Sequence, residues 1–167
     1  MSVATAVSVA EYLNTTYRPD CDYLEGELLE RNVGELDHSR LQFLIARWLG
    51  NREKQFGITV LTEMRVQVRS QRFRVPDVLA VKGGLPAEQI LTHPPFLCVE
   101  ILSPLDTFAE MQERVNDYLA FGVPYVWAVD PKSRKAFIYT ADGVHEAKDG
   151  ILTTVDPDIR LNLAELE

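Results

Sequence analysis

The sequence predicts an α/β fold in which a central mixed β-sheet is flanked by helices, and three observations carry that prediction. Leu41, Leu44, Ile45, Trp48 and Leu49 recur at helical spacing. The segments that follow are rich in β-branched residues and are punctuated by polar turns. Pro95–Leu102 is a nearly continuous apolar run, as a strand covered on both faces requires. With 167 residues, the chain is expected to form one domain, 1–167, burying roughly two thirds of the surface its unfolded form exposes.

In chain order, residues 8–16 have helix-like spacing, and Asp22–Arg31 reads as a short hairpin turning near Glu25-Gly26. A helix is expected from Asp37 to Gln55, capped by Asp37 and ended by Gly57, with His38 on the inward side of its first turn. Strands are expected at Ile58–Leu61, Met64–Val68 and Arg74–Val81, the last closed by Gly83-Gly84-Leu85-Pro86. After the apolar run, Thr107 and Glu110 stand at capping-box spacing and Gly122 at the end of a helix from about Asp106 to Phe121. Tyr125–Asp130 and Lys135–Tyr139 form a hairpin across Pro131-Lys132-Ser133-Arg134.

The net charge of −8 argues against indiscriminate nucleic-acid binding, which depends on neutralising phosphates with Lys and Arg. The charge is unevenly spread. Arg65, Arg69, Arg72 and Arg74 crowd together just before Asp77, while acids gather at Glu25, Glu27, Glu30 and the C-terminal end. The arginine strip has two readings, a solvated hairpin and a nucleic-acid-binding surface. Cys21 and Cys98 are far apart and match no zinc or redox motif, so a reducing, cytoplasmic setting is expected. No stretch reads as a signal peptide or spans a bilayer, so no membrane association is expected.

Glu100 is the most informative residue, because it stands inside the apolar run, where an unpaired carboxylate loses much of its hydration. Either a buried arginine or a metal ion must compensate it. Asp77 repeats the anomaly within Val75–Val81, and the preceding Pro76 implies a sheet edge or bulge that re-aims a side chain. Two carboxylates on neighbouring strands offer Mg²⁺ or Mn²⁺ the oxygen ligands it prefers, with the backbone carbonyl of Ile101 as a third donor. On the following helix Arg114 flanks the buried stripe beside Tyr118, where it is able either to reach toward Glu100 or to pair with Glu110 four residues earlier. Tyr118 and Trp127 fit core packing.

Several motifs in order resemble the Uma-type "putative restriction endonuclease" family, a branch of the PD-(D/E)XK nucleases. They are Asp22-Tyr23-Leu24-Glu25-Gly26-Glu27-Leu28, His38 opening a helix, Arg74-Val75-Pro76-Asp77-Val78, Val99-Glu100-Ile101-Leu102-Ser103-Pro104, and Tyr118 with Gly122-Val123-Pro124-Tyr125-Val126-Trp127 through Asp130-Pro131. The resemblance implies a restriction-endonuclease-like sheet, with Asp77 as the PD aspartate, Glu100 as the second acid and Ser103-Pro104 as the strand-to-helix junction. It also implies His38 and Ser103 as site-lining residues.

One departure stands out. The superfamily's lysine normally lies two residues after the second acid, where this chain has Leu102, and Uma-type proteins usually carry it four residues before the tyrosine, where this chain has Arg114. Arginine stays protonated and cannot serve as a base, but its planar fork suits a phosphate.

The expected function is therefore Mg²⁺- or Mn²⁺-dependent hydrolysis of nucleic-acid phosphodiester bonds, with DNA as the expected substrate. Asp77 and Glu100 would hold metal and Arg114 would hold phosphate. The competing expectation is a catalytically weakened, homodimeric interaction module on the same fold, in which Arg114 pairs with Glu110.

Overall fold

A computed structural model describes residues 6–32 and 34–167. Helix α1 (Val9–Leu13) precedes the hairpin β1 (Cys21–Leu24) and β2 (Glu27–Glu30), and α2 (Leu36–Gly50) and α3 (Glu53–Phe56) follow. Strands β3 (Ile58–Thr62), β4 (Val66–Arg69), β5 (Arg72–Arg74), β6 (Val78–Lys82) and β7 (Leu97–Ile101) lead to α4 (Phe108–Phe121). The chain ends with β8 (Tyr125–Val129), β9 (Ala136–Thr140), β10 (Gly143–Glu146), β11 (Ile151–Thr153), β12 (Arg160–Asn162) and a 3₁₀ turn at Leu163–Glu165.

Six strands form the main sheet in the order β10-β9-β8-β7-β6-β3, and β2-β1-β5-β4 form a second. The main sheet is mixed: β7 and β8 run parallel across the α4 crossover, whereas β6 pairs antiparallel with both β3 and β7. Side-chain alternation fixes the layers. Val78, Ala80, Leu97, Val99 and Ile101 face Leu41, Leu44, Ile45 and Leu49 of α2. Leu79, Val81 and Cys98 face Met111, Val115 and Tyr118 of α4. An α/β architecture with helices on both faces of a central mixed sheet is thus present, as expected.

Three local expectations are corrected. The helix predicted from Asp37 to Gln55 ends at Gly50, and its N-cap is Glu35. Arg52 leaves helical backbone, stacks its guanidinium 4.1 Å from the centre of the Trp48 ring and donates to the Trp48 carbonyl, and the separate turn α3 then closes on Gly57. The strand predicted over Arg74–Val81 is two strands, with Val75-Pro76-Asp77 carrying the chain from the small sheet to the main one. Strands β6 and β7 are therefore interior, so Pro76, which has no N–H to donate, marks a passage between sheets and no sheet edge.

Capping at α4 follows the sequence closely. Thr107 accepts from the Glu110 N–H, the Glu110 carboxylate accepts from the Thr107 N–H, and Gly122 closes the helix at φ 106°. Beyond Thr140 the short strands β10, β11 and β12 had no counterpart in the sequence reading. Leu152 of β11 and Leu161 of β12, with Ile159, Leu163 and Leu166 around them, complete the core on the α2 side.

Candidate metal and phosphate site

The antiparallel pairing of β6 with β7 sets Val78 opposite Val99 and so brings Asp77, just before β6, beside the end of β7. Asp77 is only 2 % exposed. Its Oδ2 accepts the Ile101 N–H at 2.7 Å, which pins the carboxylate to β7. Its Oδ1 forms an ion pair with Arg31 Nη2 and lies 3.4 Å from His38 Nε2. Burial alone would raise the Asp77 carboxyl. The His38 hydrogen bond, the Arg31 charge and the Ile101 N–H outweigh it and hold the group below its ordinary range. Asp77 in turn outweighs the burial of His38 and raises that imidazole.

Glu100 alternates with Val99 and Ile101 and consequently points to the α4 face, where Tyr118 OH donates to its Oε1 at 2.6 Å. Arg114, one turn before Tyr118, brings Nε to 3.5 Å from Glu100 Oε2. That Nε is buried and has no hydrogen-bond acceptor among the described residues. Burial pushes the Glu100 carboxyl up to about 7, with Arg114 opposing the rise and Asp77 adding to it. The Arg114–Glu110 pair does not form: Glu110 folds back onto Thr107, and Arg114 Nη2 donates to Asp106 Oδ1 at 2.9 Å.

Asp106 ties the loop between β7 and α4 together. Its carboxylate also accepts from the Ser103 N–H at 2.8 Å and from Asn32 Nδ2 at 3.1 Å. Ser103 Oγ lies 3.3 Å from His38 Nδ1, so the imidazole bridges Ser103 and Asp77. All these groups, with Arg31, surround a cavity of about 20 Å³, room for one water or ion.

Asp77, Glu100, Ile101, His38, Ser103 and Arg114, all singled out from the sequence, thus converge on one cavity. The four arginines of residues 65–74 do not form one exposed surface. Arg65 stacks over Tyr12 and donates to the Thr15 carbonyl. Arg72 lies 2.7 Å from Glu25 and 3.0 Å from Asp117, and Arg74, 2 % exposed, is enclosed by Asp22 and Asp117. Of the four, Arg69 keeps more than half its side chain exposed. Four site groups escaped the sequence reading: Arg31, Asn32, Asp106 and the Tyr118 hydroxyl.

The fold is that of a solved "putative nuclease belonging to DUF820" from Anabaena variabilis ATCC 29413, with a TM-score of 0.82 over 96 % of this chain and 97 % of that one. At 19 % identity that likeness concerns the fold. Residues 9–162 match the family model described as "Uma2: Putative restriction endonuclease", and the chain belongs to that family. No curated protein matches it in sequence. No helix among the described residues is long and apolar enough to cross a membrane.

Proposed function

We propose that this chain is a PD-(D/E)XK-type endonuclease that depends on Mg²⁺ or Mn²⁺ and hydrolyses phosphodiester bonds, with DNA as the substrate to test first. The carrying observation is that two buried carboxylates, Asp77 just before β6 and Glu100 on the adjoining β7, meet at one small cavity beside a buried guanidinium nitrogen that has no hydrogen-bond acceptor among the described residues. Family membership supports the same reading.

The donor set fits a hard cation. Among the described residues Glu100 Oε2 accepts no hydrogen bond, because Tyr118 engages the other oxygen. No three His, Cys, Asp or Glu side chains among those residues form a ready-made cage. Mg²⁺ is commonly held by only one or two carboxylates, with waters and substrate phosphate completing its shell. When bound, such a cation polarises a phosphate oxygen and offsets the charge that develops during hydrolysis.

The chain's own groups divide the remaining work. Tyr118 orients Glu100, and the Ile101 N–H and His38 orient Asp77. Arg114, braced on Asp106, lines the cavity, and its guanidinium can donate to a phosphate oxygen there. Supercoiled plasmid incubated with Mn²⁺ tests the reading. Wild type should nick it and Glu100→Ala should not, whereas equal nicking by both would mean that the activity comes from elsewhere.

One observation favours a second reading, the homodimeric interaction module. Ion pairs of Arg31 with Asp77 and of Arg114 with Asp106 and Glu100 engage both of the site's guanidiniums internally, and the adjoining grooves carry Glu30, Glu35, Asp37 and Asp130 against Lys132. That reading requires no cleavage by wild type and a dimeric mass in solution.

A further inference from the structure

We propose that Arg31 is the resident competitor for the cation position. Its guanidinium neutralises Asp77 in the metal-free protein and must withdraw into the adjoining groove before a divalent ion binds. The inference rests on the reading of Asp77 and Glu100 as a metal centre.

Three features of the site point to it. Of the two Asp77 oxygens, Oδ2 is committed to the Ile101 N–H, so Oδ1 is the oxygen left for a metal, and Oδ1 is where Arg31 sits. With Arg31 in place about 20 Å³ remains free, room for one water-sized group and too little for a cation that carries its own waters. Burying Asp77 with too little countercharge is costly, and with Arg31 withdrawn only His38 remains beside Oδ1, so a cation is favoured in the vacated position.

Arg31 is also the group with somewhere to go. Its backbone is fixed by the bond from its N–H to the Asp20 carbonyl, while its side chain, 18 % exposed against 2 % for Asp77, stands on the solvent side of the pair. It borders a groove of about 410 Å³ that it shares with Pro19, Glu30, Gly34 and Pro104. Arg114 differs. Its Nη2 is braced on Asp106, and its Nε pairs with Glu100 Oε2 only at 3.5 Å without a hydrogen bond, so it is held where it stands.

The test is Mn²⁺ titration by calorimetry of the full chain at one fixed pH, for wild type, Arg31→Met, Arg31→Lys and Asp77→Ala. If the Arg31-withdrawn state is a tenth or less of the metal-free population, Arg31→Met should bind Mn²⁺ about tenfold tighter or more. Arg31→Lys, which keeps a charge, should stay near wild type. Equal or weaker binding by a folded Arg31→Met overturns the proposal. If Asp77→Ala binds Mn²⁺ as well as wild type does, the metal centre itself is misplaced, which is a different failure.

Should Arg31→Met not fold, the wild-type protein still decides the matter. During Mg²⁺ titration the side-chain Nε–H NMR signal of Arg31 should move and broaden toward that of a solvated arginine. A signal that stays unchanged while Mg²⁺ saturates the site contradicts the proposal.

Discussion

Glu100 bears its negative charge against its surroundings, since burial drives its carboxyl up to about 7. The consequence for stability has a definite sign. The unfolded carboxyl titrates near its ordinary value, so the neutral-Glu100 contribution is fully present below about pH 4.5 and is lost as pH rises through about 7. In metal-free buffer, Glu100→Gln should therefore melt close to wild type at pH 5 and be more stable at pH 8, by on the order of 1–3 kcal/mol. Thermal melts at the two pH values check this. Arg114 makes the complementary prediction for activity: Arg114→Lys retains Mn²⁺-dependent nicking, and Arg114→Ala loses about 10²–10³-fold. Helical geometry, which places Arg114 one turn before Tyr118, made its reach toward Glu100 one of two readable outcomes, the other being the pair with Glu110 that does not form. Arg31 was not readable, since its partner lies 46 residues away and no periodicity marks a long-range pair.

At the scale of elements, the signals that the sequence carried best were local ones. Thr107, Glu110 and Gly122 delimit α4 as their spacing requires, and Thr107→Ala should cost about 1 kcal/mol in denaturant unfolding while leaving Mn²⁺ affinity unchanged. Signals that depend on a neighbouring element were misread. Pro76 looked like a strand edge because nothing in its surroundings reveals a second sheet, and the break after Gly50 depends on Arg52 folding onto Trp48. Arg74 shows the same limit. Its neighbours in sequence suggest a basic strip, yet it joins β5 to Asp22 of β1 and Asp117 of α4. Arg74→Ala leaves buried Asp22 without a countercharge and Asp117 with Arg72 as its close partner, and should destabilise by about 3–5 kcal/mol. Urea titration measures it, and a loss under 1 kcal/mol would remove this network from the account of how the small sheet is held.

Across the whole molecule, two sheets and one crossover helix deliver the site: β2 leads into Arg31, the passage between the sheets delivers Asp77, β7 presents Glu100 and α4 presents Arg114. The main-sheet class and the acid pair were readable because buried runs with a single carboxylate in each are unusual patterns. The docking of the small sheet was not, because short half-buried strands carry little periodic signal. The central claim is that Asp77 and Glu100 form a divalent-metal centre, and a crystal soaked in Mn²⁺ tests it most directly. The anomalous difference map should hold a peak between Asp77 Oδ1 and Glu100 Oε2, with the Arg31 guanidinium displaced from Asp77. A map with no peak there, while Arg31 remains paired with Asp77, would contradict it.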